Sequence, residues 1–148
     1  MVSSWQWENV PIPEVHVLAV LLTELLHRIV PWKMHRANWS STALGCALVV
    51  GSIVLGGWAV RTAGHESLDR PSTLVSNGPY AYSRNPMYVA WTLLIIGIAV
   101  VRNTIWLLAS VPFVVIATHW IIRREERELE ERFGETYRCY MKSVPRYL

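Results

Sequence analysis

Four runs of apolar residues, 15–30, 39–60, 87–101 and 104–122, alternate with polar stretches along the chain. A hydrocarbon core of ~30 Å is crossed by roughly 20 helical residues. The second and fourth runs meet that length, the third is shorter, and the first carries Glu24 and His27. Trp32, Trp39, Trp58, Trp91, Trp106 and Trp120 fall mostly near run ends, where indoles favour the membrane interface. The pattern predicts an all-α, polytopic membrane protein of about four transmembrane helices. The first helix starts after Pro13 and ends near Pro31. Only Arg102-Asn103 joins the third run to the fourth, so these two form an antiparallel helical hairpin. Past Ile122, Leu129, Phe133, Tyr137 and Met141 recur at four-residue spacing opposite a charged face. The fourth helix therefore continues out of the membrane as an amphipathic extension, interrupted at Gly134.

The hairpin carries a geometric consequence. From Pro86 to Val101 the third helix climbs about 24 Å at 1.5 Å per residue, and the fourth descends as far by about residue 119. Glu125 and Glu126 then emerge on the face that holds Asn85, roughly 9 Å further out. The polar segment 61–85 lies at the same level, and a link of that length with no obvious helix tends to be functional. One membrane-embedded domain is predicted, residues 1–60 supplying two helices and 61–148 the loop, hairpin and extension. In the second run Ala47 with Gly51, and Ser52 with Gly56, offer small-residue faces for close helix packing, within the monomer ahead of a dimer face.

Composition agrees and adds an orientation. The chain has 148 residues, about one domain, and 52% are hydrophobic. The net charge of +3 is modest, and the arginines around the polar segments suit a membrane surface better than nucleic acid. Seven of the 14 Lys/Arg residues follow Ile122, which makes that face cytoplasmic. Four spans put the N-terminus there too and leave Arg28, Lys33 and Arg36 on the other side. The opening residues are acidic and show no cleavage site, so no cleaved signal peptide is predicted. Cys46 and Cys139 are placed too differently for a disulfide, and no Cys/His cluster has metal-ligand spacing.

The chemistry gathers at residues 76–91, SNGPYAYSRNPMYVAW. Asn85-Pro86 reads as a helix start, Asn as N-cap and Pro in the first turn, and such an end also suits an anion. Tyr80 and Tyr88 are placed to face the polar neighbourhood, whereas Tyr82 reads as an interface tyrosine. Arg84 pairs with a carboxylate or snorkels. Glu125-Glu126, set among Arg123, Arg124 and Arg127, reads first as a solvated, ion-paired helix face and second as a binding pair. Glu24 and His27 share one face of the first helix and are candidates to line a substrate channel, with His119 near the end of the fourth run. His16, His35 and His65 receive no role.

Two blocks resemble a known family. LVSNGPYAYSRNPMYVAW is similar to the LVTxGxYxxxRHPxYxG signature of the isoprenylcysteine carboxyl methyltransferases and their bacterial relatives, the phospholipid methyltransferases among them. EERELEERFGETYRCYMKSVPRYL resembles that family's second block, and together the blocks cover residues 72–148. The resemblance implies an integral membrane methyltransferase that encloses S-adenosylmethionine between loop, hairpin and extension. By position it implies cofactor contacts at Ser72, Leu74, Val75, Tyr80, Asn85, Pro86, Tyr88, Glu125 and Glu126. Asn85 stands where the family has histidine, Ala90 replaces a glycine, and Ile121 replaces a substrate-handling arginine. Arg146 is then the best cation near the reaction face, or else a headgroup anchor.

The implied acceptor is lipophilic or membrane-delivered: a prenylcysteine-like carboxylate, a phospholipid amine or a small thiol. An amine must lose a proton, and Glu125 or a tyrosine can take it. A reductase related to the sterol reductases and a non-catalytic protein keeping the fold are the alternatives. On an open polar face, Glu126→Gln and Tyr88→Phe weaken cofactor binding and spare folding.

Overall fold

A computed structural model describes residues 14–34, 38–64 and 73–148. They form five α-helices: α1 Glu14–Ile29, α2 Trp39–Ala63, α3 Pro86–Arg102, α4 Ile105–Phe133 and α5 Glu135–Ser143. A single 3-10 turn, Gly78–Ala81, precedes α3, and no strand occurs among the described residues.

Local chemistry accounts for the boundaries. Asn38 opens α2 by accepting the Ser41 N–H at 2.8 Å, and Ser41 Oγ answers to the Asn38 N–H, a reciprocal capping box. Asn103 takes the left-handed conformation, φ 52°, between α3 and α4, and turns the chain back on itself. Gly134 separates α4 from α5, as its place in the stripe predicts. Gly78 also has positive φ, and a Cβ there would meet Thr62 Oγ1 at 2.6 Å. Only glycine lets the loop dock against the end of α2.

Helix α2 packs most extensively on α3, and α1 lies against α4. The α2–α3 crossing is closest at Gly45 and Gly97, where a Cβ on either would stand about 3 Å from the other's carbonyl oxygen. Gly56 faces Ala90 of α3 and Ser52 is buried, in keeping with a small-residue packing face, but Ala47 is exposed and nothing lies within 4 Å of a Cβ placed on Gly51. Gly97→Leu is expected to lower stability by about 1–3 kcal/mol through overpacking. Gly57→Ala, at an open position, should be neutral or slightly stabilising. Thermal unfolding in detergent compares the two.

At the hairpin turn, Arg102 pairs with Glu24 at 2.9 Å, and His27 Nδ1 lies 3.2 Å from Thr104 Oγ1. Trp106 Nε1 donates to the Val30 carbonyl at 2.7 Å, and its ring stacks on Trp32. Glu24 and His27 are thus engaged about 26 Å, one length of α3, from the Asn85 end. They lie at the opposite end of α3 from Asn85, apart from the residues gathered there.

The outer surface is apolar. Leu18, Leu21, Leu22 and Leu25 of α1, Val50, Ile53 and Val54 of α2, and Phe113 and Ile116 of α4 are all exposed. So much outward-facing hydrocarbon fits a lipid surround rather than water. Two described helices, α2 and α4, are long and apolar enough to cross a membrane; α3 is apolar but shorter.

Candidate functional site

The start of α3 and the outer part of α4 come together as the hairpin predicts. Tyr88 Oη donates to Glu125 Oε1 at 2.7 Å. One residue on, Glu126 is only 6% exposed and sits between two arginines. Arg146 donates to its Oε2 from Nε and Nη2, at 2.9 and 2.6 Å. Arg84 Nη2 lies 3.1 Å from Oε1, an ion pair whose groups are not aligned for a hydrogen bond. The Arg84 side chain is 8% exposed, and its Nε and Nη1 have no hydrogen-bond partner. A buried guanidinium with two unspent donors is costly unless an acceptor meets it. Two cations on one carboxylate also leave the cluster one positive charge in excess.

The tail holds this arrangement from outside. The Arg84 N–H donates to the Pro145 carbonyl at 3.0 Å, and Ser83 Oγ and Asn85 Nδ2 donate to the Arg146 carbonyl at 3.3 and 3.2 Å. Asn85 therefore does not cap α3 with its side chain, contrary to what Asn-Pro predicts. It ties the tail to the helix start, which an amide N–H donor does without needing a titrating ring.

Arg84, Asn85, Glu125 and Glu126 help wall an open cleft of about 90 Å³ between the loop 73–75, the start of α3 and the outer turns of α4 and α5. Of the residues implicated by sequence, Leu74, Val75, Tyr80, Asn85, Glu125 and Glu126 line it. Tyr88 reaches it only through Glu125, and Pro86, fully buried, lines a separate cavity on the α2 side. Ser72 lies outside the described residues. Arg84 pairs with a carboxylate, as the sequence predicts, but its burial beside the cleft is not legible there. Tyr137 and Tyr140 carry no site role in the sequence reading, Tyr137 standing in the apolar stripe. His16, given no role, is 1% exposed with Nε2 3.4 Å from Thr92 Oγ1.

Tyrosines secure the cleft's outer wall. Tyr140 Oη donates to the Tyr80 carbonyl at 2.6 Å, and Tyr137 and Tyr140 pack with Val144, Leu129 and Phe133. Burial pushes the Tyr80 and Tyr140 hydroxyls up to about 12. The unfolded chain gives up these protons first, near pH ~10. Stability present below that pH is therefore expected to fall as pH rises through about 12. Melting temperatures across this range would show it, with a shallower fall for Tyr140→Phe.

On the far side of the Tyr88–Glu125 bond is a second space, an almost wholly apolar groove of about 220 Å³ between α3 and α4. Tyr88, Val89, Thr92, Val115, Thr118 and Tyr147 line it. Tyr147 Oη lies 3.0 Å from His119 Nδ1, which places His119 at this end of the bundle and away from Glu24 and His27, with which the sequence reading groups it. A charged cleft and an apolar groove thus meet at one hydrogen bond.

A small cleft lined by charged groups and tyrosines thus lies beside an apolar groove, in a bundle whose outer surface is apolar. The family model described as phospholipid methyltransferase matches residues 40–136, and the chain belongs to that family of membrane methyltransferases. No curated protein matches the chain.

Proposed function

We propose that the protein transfers a methyl group from S-adenosylmethionine to a lipophilic acceptor supplied by the membrane. The observation that carries this reading is the Tyr88–Glu125 bond at the junction of cleft and groove. The donor set suits the cofactor. Arg84's unspent donors on Nε and Nη1 match an amino-acid carboxylate, and Glu125 and the face of Tyr80 match a cation, while Glu126 lines the cleft as the counter-charge of Arg84 and Arg146. Leu74, Val75 and Asn85 complete the walls, and Ser72 keeps its proposed place in the loop. Pro86 supports the site from behind.

When bound, the cofactor supplies an electrophilic methyl on a sulfonium. The chain's own residues then align the partners and keep water out. Arg84 and Arg146 fix Glu126, Tyr88 orients Glu125, and Glu125 takes the proton that an amine acceptor must lose. Arg146 is engaged with Glu126, so it acts as a positioning residue rather than as a headgroup anchor. A groove this apolar favours an acceptor with a hydrocarbon chain over a small thiol. The same reading includes four spans, α1 to α4, with the cleft facing the cytoplasm.

Thermal shift of the detergent-purified protein with S-adenosylmethionine, S-adenosylhomocysteine and NADPH tests it. Stabilisation by the first two is expected, and a shift with NADPH alone would sink it. Arg84→Lys keeps the charge but loses the planar donors. It should weaken S-adenosylmethionine binding by roughly 10–100-fold, the worth of a charged hydrogen bond. Calorimetric titration measures the change.

A further inference from the structure

The Ala47–Gly51 edge of α2 takes no part in the packing on α3, yet it leads to a cavity that the proposed reaction does not use. This cavity, about 190 Å³, lies between the later half of α2, the turn before α3 and the start of α3. Leu55, Trp58, Pro79, Tyr82, Val89 and Leu148 bound it, and almost all its lining is apolar. An apolar void of ~150 Å³ stays dry, so this space is suited to hydrocarbon rather than water.

Its position says which hydrocarbon. Trp58 and Tyr82, 47% and 65% exposed, stand at its mouth as aromatics do at the membrane interface. Counting back from Trp58 at helical spacing, Leu55, Gly51 and Ala47 share one edge of α2 running toward the bilayer centre. At Gly51 the backbone is bare, with nothing within 4 Å of a Cβ position. Leu55 belongs to both the cavity and this edge, so a hydrocarbon chain in the cavity would run on along Gly51 and Ala47.

The cavity also touches the active-site tail. Leu148 lines it, Tyr147 lines the α3–α4 groove, and Arg146 binds Glu126. Leu148 is itself 78% exposed, an apolar side chain beside an apolar space. We propose that one acyl chain of a bilayer lipid lies along Ala47, Gly51 and Leu55 into this cavity, and that by covering Leu148 it holds residues 145–148 on the start of α3. The site is separate from the acceptor groove, with Val89 between them.

The test uses the delipidated full chain in detergent, titrated with phosphatidylcholine carrying dibromostearoyl chains. Its headgroup nitrogen already holds three methyls, so it is not an acceptor. Saturable tryptophan quenching is expected, with a component that Trp58→Phe removes. Gly51→Leu, at a position with free space around it, should weaken binding by roughly tenfold, equivalent to losing about two buried methylenes. Leu55→Phe is the second obstruction, and unchanged melting temperatures confirm that both variants fold. Hydrogen exchange at the Arg84 amide, which donates to Pro145, should slow with lipid in wild type and not in the variants. Equal quenching in wild type and Trp58→Phe, or wild-type affinity in both obstructed variants, overturns the site. Lipid binding that leaves Arg84 exchange unchanged overturns the link to the tail. No measurement involves S-adenosylmethionine, so failure of the methyltransferase reading would appear separately, in the thermal shift.

Discussion

Glu126→Gln is expected to lower the unfolding free energy by about 3–5 kcal/mol, seen as a large drop in melting temperature in detergent. The carboxylate is the counter-charge of two arginines, one of them 8% exposed and short of partners already. A neutral amide of the same shape leaves Arg84 buried without a counter-charge, while Arg146, 31% exposed, loses its partner but keeps contact with water. This reverses what the sequence suggests for the residue. Among Arg123, Arg124 and Arg127 it reads as part of a solvated face, and its substitution should then spare folding.

A companion variant separates stability from binding. Replacing the whole cluster, Arg84→Met with Glu126→Leu and Arg146→Leu, removes the charges together and leaves none orphaned. Buried ion clusters replaced in this way are often neutral or stabilising, by about 1–4 kcal/mol. The triple variant is expected to melt near the wild type and to bind no S-adenosylmethionine. If it melts as low as Glu126→Gln, orphaned charge is not the cause.

The second large effect concerns turnover. With an amine acceptor, Glu125→Gln is expected to reduce kcat by about 10²–10⁴-fold, the usual worth of a positioned base. Tyr88→Phe removes one hydrogen bond to that carboxylate, so a loss of roughly tenfold is expected. Because Tyr88 does not line the cleft, its effect should fall on kcat rather than on cofactor affinity. Carboxylate and thiolate acceptors carry no proton to lose, so Glu125→Gln should change their rates little. Methyl-labelled cofactor and isolated membranes supply both rates, and the ratio identifies the acceptor chemistry.

Much of this molecule is legible in one dimension. The apolar runs predict α1 to α3 nearly to their ends and the apolar part of α4, which the amphipathic stripe extends to Gly134, because helix length and hydropathy are local properties and punctuation by Pro, Asn and Gly is local too. The two-residue turn after α3 brings Glu125 beside Tyr88, since a short link leaves an antiparallel pair little freedom. Even the stripe Leu129, Phe133, Tyr137 and Met141 marks the buried side of the extension.

What the sequence could not assign were roles that depend on a distant partner. Asn85 satisfies every local rule for an N-cap, yet its amide is taken by the carbonyl of Arg146, 61 residues away. Arg84 is legible as a partner for a carboxylate and Glu126 as part of a solvated face, but only packing of the tail and of α5 removes them from water. Gly45, outside the small-residue pairs visible by spacing, makes the closest helix contact because Gly97 faces it. The sequence alone determined the helices, their order and the face on which chemistry gathers. Only the tertiary structure decided which charges are buried and which cavities meet, because burial and electrostatic pairing belong to neighbours in space rather than neighbours in the chain.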